Sequence, residues 1–517
     1  MSKQLGYKYR GIPSATGVAA FFSIVPANEV GLGVNTHYLP VLKRGTRISS
    51  KGGNKYMLEE DIRFDDPNNE VVVARVDDST GYPTSYAVKA YGKITSGELK
   101  RERIPVGNFS KFKKVPLTSR NIAEIISVID EEGHEYFEVD YLSQDVVYRA
   151  VTNMGDNKDT VPYIMKPMTV PRRFVLDRED GRYYLQFGYG SDSELNSSSV
   201  AEPSSVTLKM HARDFISDTA FDPAKLLQTD KFGVGPAKTT LTVNYRINST
   251  GNTNARIGGV NKVNSVIMDF ARPELVSPNV RDSILKSFEV YNEEKIVGGV
   301  SIPSTKELKI RAFDYFATQN RAVTLQDFES IAYAMHPKFG SLKRIKVVQD
   351  PDSFKRNLNM YVLAESRNGY LTEANSTLKE NLKLWLNNDK MIHDTVDILD
   401  GKIVNFGIEF SAIADPQFNK FEVLSRAQAM LASKFTQPLY MGESIYITDI
   451  ISALNKDVEG LIDVKKVKIV SRSSAAYSRA TFDFDSQTSA DGRVLMVPDN
   501  VCMELKYPDA DIKGTLE

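Results

Sequence analysis

The chain has 517 residues, which at roughly 150 residues per domain favours about three domains and allows a core that needs no covalent staples. Hydrophobic residues make up 41% and charged residues 25%, inside the range of folded water-soluble chains and outside that of disordered or membrane-spanning ones. Lysine plus arginine total 65 against 66 acids, so no net field draws the chain to nucleic acid or to anionic lipid.

The chain opens with Lys3, Lys8 and Arg10 ahead of an apolar run from Val18 to Val25. This imitates a secretory signal, but Ser23, Pro26 and two adjacent phenylalanines favour a buried strand. Nothing else approaches the roughly 20 apolar residues that cross a bilayer. Local basic clusters, Lys100, Arg101, Arg103 and Lys111, Lys113, Lys114, have acids interspersed nearby and read as solvated faces or subunit contacts. Up to about Asp314 the pattern is short and period-two, so this part is predicted to be mostly β. Arg173 to Phe187 reads as a hairpin turned by Asp180-Gly181. The serine-rich stretch Ser191 to Ser205 is predicted to be a mobile loop. In Thr240 to Ile247, the residues Leu241, Val243, Tyr245 and Ile247 alternate with polar partners as one buried sheet face requires. A weak helical period surfaces in Arg281 to Val290.

After about Tyr315 the period changes. Leu325, Phe328, Ile331, Ala332 and Met335 share one helix face, with Thr324 as cap, Asp327 at the positive end of the dipole and Pro337 as stop. Strands over Leu342 to Val348 and Leu358 to Ala364 follow. A second helix carries Ala374, Leu378, Leu382, Trp385 and Leu386 behind the predicted cap Thr372. Val404 to Ala412 alternates as a long strand. A third helix opens with Asn419 and Glu422 in capping-box spacing and is expected to bury Phe421, Leu424, Leu431 and Phe435. A short helix around Ile450, Ile451 and Leu454 and a strand from Lys465 to Val470 complete the set. The prediction is therefore a multidomain α+β chain. Its parts are a β-rich N-terminal domain (1–190), a β-rich middle domain with the mobile loop and a linker (191–314), an α+β module of helices on a small, mostly antiparallel sheet (315–475) and a C-terminal extension (476–517).

Chemistry-bearing patterns are sparse. Gly31/Gly33, Gly188/Gly190 and Gly233/Gly235 give G-x-G pairs, but none continues to a third glycine or opens a clear helix, so strand-end turns are the better reading. His37, His134, His211, His336 and His393 are scattered singly, unlike zinc ligands. Asp177, Glu179 and Asp180 lack the closing glutamate of a calcium loop. Cys502 is the one cysteine, which excludes an intrachain disulfide framework and fits a reducing compartment. There is no G-x-S-x-G elbow, and the S-x-x-K of Ser376 to Lys379 lies on a predicted surface helix. Paired carboxylates are spatial and cannot be read from spacing. The sequence points to no cofactor, no metal, no small-molecule substrate, no nucleic acid and no membrane, and to a chain that is not an enzyme.

One resemblance carries more. The run GGVSIPSTKELKIRAFDYFATQNRAVTLQDF, Gly298 to Phe328, resembles the segment of baseplate-J-like proteins that leads into R-x-V-T-x-x-D-[YF] at a helix start; the matching residues are Arg321, Val323, Thr324, Asp327 and Phe328. FGSLKRIKVVQD is similar to the family's helix-to-strand passage. LTVNYRINSTGNTNARIGGVN resembles its strand and G-x-x-x-N turn, here Gly251 and Asn254, and RRFVLDREDGRYYLQFGYG resembles the segment before it. LTEANSTLKENLKLWL and GESIYITDIISAL look like segments of baseplate wedge proteins of large contractile-tailed phages. The likeness runs in one order from about Gly45 to about Val470. Two departures matter: larger wedge proteins begin with helices that join a bundle, whereas this chain starts in β pattern, and some relatives have a longer C-terminal part.

The resemblance implies a structural subunit of a contractile-tail baseplate wedge in the virion, assembled in host cytoplasm. Copies would dimerise within a wedge, close a six-fold ring around the central hub with other wedge and hub proteins, and relay the change that triggers sheath contraction. A closed ring of such dimers needs two kinds of contact, one within a wedge and one between wedges. For the Arg321 motif a local role outweighs partner contact: Thr324 caps, Asp327 suits the helix start, and Arg321 is expected to pair with a carboxylate that fixes the loop. The alternatives are a host-binding tail adhesin or fibre, which predicts repeats or coiled coil that the sequence lacks, and, less favoured, a tail-associated hydrolase.

Overall fold

The computed structural model describes residues 6–8, 11–28, 33–152, 163–190, 232–248, 252–351, 357–436, 438–480 and 482–517. The predicted loop Ser191 to Ser205 and Gly251 lie outside them. Two compact units divide the chain, one of Met1–Lys8, Ile12–Ser96 and Ser249–Glu517, the other of Tyr9–Gly11 and Gly97–Asn248. These units follow contact density, whereas the sequence boundaries after 190, 314 and 475 follow changes of hydrophobic period, so the two divisions differ. The class is multidomain α+β with a β-rich N-terminal part.

In the unit of 97–248, strand Thr239–Ile247 lies between Glu98–Val106 and Ile122–Ile129, antiparallel to both. Its alternation is the reason: Leu241, Val243 and Tyr245 are fully buried against Phe174, Leu185 and Phe187. The hairpin of Arg173–Glu179 and Arg182–Phe187 forms as predicted. Asp180 and Gly181 both take positive φ, 49° and 76°, the twist that a two-residue hairpin turn requires. Two of the glycine pairs, Gly188/Gly190 and Gly233/Gly235, have a joint explanation, and Gly31 lies outside the described residues. Gly190 donates to the Gly233 carbonyl at 3.0 Å, and Gly235 donates to the Gly190 carbonyl at 2.9 Å. A Cβ on Gly188 would lie 2.1 Å from the carbonyl oxygens of Phe232 and Gly233, so close backbone approach accounts for that glycine.

In the other unit, the run Val18 to Val25 becomes the strand Thr16–Pro26, antiparallel along its length to Pro83–Ser96 and to Glu289–Tyr291 on its other edge. Ala19, Phe21 and Val25 join Tyr56, Leu58, Val88 and Ile94 in one core. Helix α1 (Pro278–Ser287), capped by Ser277, adds Ile284.

Helices α2 (Thr305–Thr318), α3 (Leu325–Tyr333) and α4 (Ser376–Leu386) precede and flank a sheet whose central strand Asn357–Glu365 runs antiparallel to Arg344–Gln349 and parallel to Thr395–Asp400. Phe328, Ile331, Leu378 and Leu382 pack on Ile345, Val347, Met360 and Val362. The Trp385 indole donates to the Ile331 carbonyl at 2.9 Å. A second sheet is built on Lys402–Ala414, antiparallel to Leu461–Ser471 and parallel to Val501–Glu504 and Ile512–Leu516. Helices α5 (Lys420–Lys434) and α6 (Ile447–Asp457) cover it with Val423, Ala427, Leu431, Ile450 and Leu454.

Three local expectations change. The single small sheet is two mixed sheets, and the last forty residues supply two of the second sheet's strands. The cap of α4 is Asn375, whose side chain accepts from the Leu378 amide at 2.9 Å, not Thr372, which lies in the strand Leu371–Thr372. Phe421 is 81% exposed. With Asn419 as cap, the positions four apart that face the sheet are Val423, Ala427 and Leu431, and Phe421 lies about 200° round the helix from Val423.

Candidate interaction surface

The Arg321 motif forms the entry to α3. The Thr324 hydroxyl accepts from the Asp327 amide at 3.2 Å, while the Asp327 carboxylate accepts from the Thr324 amide at 2.8 Å and from the Val323 amide at 3.2 Å. This is a reciprocal capping box. Phe328, one residue on, is buried in the core. The loop before it is held just as firmly. Gln319 and Asn320 both take positive φ, Tyr315 donates to the Asn320 side chain at 3.0 Å, and the Ala322 amide donates to the Asp389 carbonyl at 2.9 Å. Arg321 and Val323 point outward and are exposed. The carboxylate partner expected for Arg321 is not found among the described residues.

Asn254 serves a different purpose. Its amide nitrogen donates to the carbonyls of Gly299 and Glu365, both at 2.7 Å, and its side-chain oxygen accepts from the Gly299 amide at 2.9 Å. One buried side chain thus brackets the 254 turn, the 299 segment and the end of strand Asn357–Glu365. Its carboxamide matches two acceptors and one donor. Around it Glu365 accepts from Ser301 at 2.8 Å and pairs with Lys343 at 3.0 Å, with both charges buried. The motif's two halves are not brought together: Asn254 is a bracket inside the unit, whereas Arg321 and Val323 lie on its surface.

The structure gathers a surface around Arg321 that the sequence reading missed. On α2, Phe313 is 69% exposed and Phe316 56%. Gln326 donates to Asp314 at 2.9 Å, which ties α2 beside the start of α3, where Leu325 is exposed. The Ala322 to Lys390 bridge brings Met391 and the 94% exposed Ile392 beside Val323. Exposed aromatics and aliphatics collected on adjoining segments, beside a cation, are the composition of a protein-protein contact. Helix α2 is fixed from beneath. Glu307, in its first turn, accepts from Arg311 at 2.7 Å and Arg344 at 3.2 Å. Arg344 also donates to the carbonyls of Lys343, Leu439 and Pro438. The helix thus holds its apolar stripe outward on a buried charged anchor. A stripe at i, i+3, i+6 was legible in the sequence, but the same spacing ordinarily predicts burial.

No family model matches this chain, and no curated protein matches it. Among solved structures it is similar to a chain of the six-fold symmetrised baseplate of the anti-feeding prophage. That match has 9% identity over 98% of this chain and 79% of the other, with a TM-score of 0.25. It is also similar to a chain of the type VI secretion system TssK-TssF-TssG baseplate subcomplex, at 9% identity over 75% of this chain and 88% of that one, again with a TM-score of 0.25. At that score neither likeness bears on how this chain acts.

A cavity of about 300 Å³ opens beside Asn254. Its lining includes Arg256, Lys295, Arg367 and Lys506 with Tyr370 and Tyr507, and contains no carboxylate. No group of three His, Cys, Asp or Glu among the described residues is placed to hold a metal ion. Cys502 is buried, and burial pushes its thiol up to about 12, which leaves it un-ionised and unreactive at neutral pH.

Proposed function

We propose that this chain is a structural subunit of a contractile-tail baseplate wedge, which self-associates into a ring around the central hub and relays the change that triggers sheath contraction. The class of assembly comes from the ordered resemblance between Gly45 and Val470. The observation that carries a scaffolding role is the rigidly mounted apolar surface of Phe313, Phe316, Val323, Leu325, Met391 and Ile392. Copies or neighbouring wedge proteins meet there, with Arg321 at its edge available for a carboxylate on the other chain. Partner contact thereby gains on the purely local role for Arg321 and Val323, while Thr324, Asp327 and Phe328 stay structural.

Mounting suits the task. A surface held by a capping box, a bridge to Asp389 and a buried ion cluster moves as one body, so a change at a contact is passed on by displacement of the whole module. Sedimentation velocity of the full chain tests the reading. The wild-type protein is expected to form larger species with rising concentration, and the Phe313→Glu/Phe316→Glu variant to form smaller ones at every concentration, with an unchanged circular dichroism spectrum. Equal sedimentation of the two proteins overturns the assignment of this surface.

A further inference from the structure

The strand Glu70–Val76 is exposed at all seven residues; Val72 alone is 64% exposed. One of its edges pairs with strand Pro83–Ser96, and among the described residues no strand pairs with the other. Open edges of this kind are normally blunted by lysine, proline or inward-pointing charge. This one reads EVVVARV, four valines in seven residues, which favours pairing with a further strand.

We propose that this open edge pairs antiparallel with the same strand of a second copy of the chain, about a two-fold axis through Val72. Charge selects both the partner and the register. With Val72 opposite its own copy, Val71 faces Val73 of the other strand. The irregularity the strand already carries between Val73 and Arg75 takes up one residue, so Glu70 faces Arg75. The two-fold repeats this ion pair on the other side. Both charges are available: Arg75 has no ion pair among the described residues, and Glu70 lies 3.6 Å from Lys89, whose nearer partner is Glu293 at 2.8 Å. Shifting either strand by two residues sets Glu70 opposite a valine in one direction and opposite Asp77 in the other, and loses both pairs. Pairing also satisfies the free backbone groups of the edge and covers valines on both faces.

This contact is separate from the Phe313 surface and does not depend on it. If both exist, the chain has two unlike contacts, as a closed ring of dimers requires.

The full chain with Val72→Cys tests the pairing, because the one native cysteine, Cys502, is fully buried and oxidation therefore reports on position 72. Directly opposed strand residues have Cβ atoms about 5 Å apart, near enough for a disulfide with small adjustment. The expected result is a covalent dimer on mild oxidation. Adding Glu70→Arg is expected to lower the dimer fraction about fivefold, and Glu70→Arg with Arg75→Glu to restore it. Chains that stay monomeric on oxidation, with wild-type circular dichroism, overturn the proposal, and so does cross-linking indifferent to the charge changes. Repeating the oxidation in the Phe313→Glu/Phe316→Glu background separates the contacts: a dimer that persists there supports the edge pairing whatever becomes of the Phe313 surface, and one that vanishes there counts against an independent edge contact.

Discussion

Arg344 donates to Glu307 at 3.2 Å, with both side chains almost wholly removed from water. The pair joins the first turn of α2 to the strand Arg344–Gln349. It fixes the direction in which α2 presents Phe313 and Phe316. Removing one member of a buried pair strands the other, at a cost of about 3–5 kcal/mol. Glu307→Ala is expected to lower the stability of this module by that amount in urea denaturation, and to weaken self-association even where the module stays folded.

The capping box of α3 makes a smaller and cleaner test. Thr324→Ala removes the acceptor for the Asp327 amide and is expected to cost about 1 kcal/mol. Thr324→Ser keeps the oxygen and should cost a fraction of that. Equal urea midpoints for Thr324→Ala and the wild type would show that the cap contributes nothing.

Asn254 is expected to be far more sensitive. Alanine there leaves the Gly299 amide and two carbonyls buried without their partner, each costing about 1–3 kcal/mol. Asn254→Asp is expected to be no better, since it sets an oxygen against carbonyl oxygens. Thermal unfolding of both variants checks this, with a drop of several degrees as the expected outcome.

A pH dependence follows from Glu504. Burial holds its carboxyl above the ordinary value of 4.5, although it accepts from the Leu371 amide at 2.8 Å and from Asn405 at 3.1 Å. Between the ordinary value and the raised one, the folded chain keeps a proton that the unfolded chain has lost. Stability therefore falls as pH rises through that window. Glu504→Gln cannot ionise, so its urea midpoint is expected to fall less than that of the wild type across the window. Parallel curves for the two proteins would contradict this.

Much of the fold was legible because amphipathic period and caps are local. The α3 face of Phe328, Ile331 and Ala332, the Asp180-Gly181 hairpin and the alternating strand Thr239–Ile247 follow from short-range pattern alone, whereas Leu325, which the spacing sets on the same face, is exposed at the helix start. What escaped the sequence was settled by distant chain. Val501–Glu504 and Ile512–Leu516 became strands by lying parallel to Lys402–Ala414 about a hundred residues earlier, and parallel pairing leaves no hairpin signal. Phe421 reads as core because its residue type suits burial, yet the cap at Asn419 sets the phase of α5 and turns it outward. The surface around Arg321 escaped for a related reason: the stripe Ile310, Phe313 and Phe316 reads as buried unless one knows that Glu307 turns the other side of α2 inward.

Isolated contractile particles, labelled with an antibody against this chain and viewed by negative-stain electron microscopy, test the central claim most directly. The account predicts label confined to the baseplate end of the tail, and a copy number in multiples of six by quantitative mass spectrometry. Label along fibres, or a chain that is absent from assembled tails and recovered only as free protein, would contradict it.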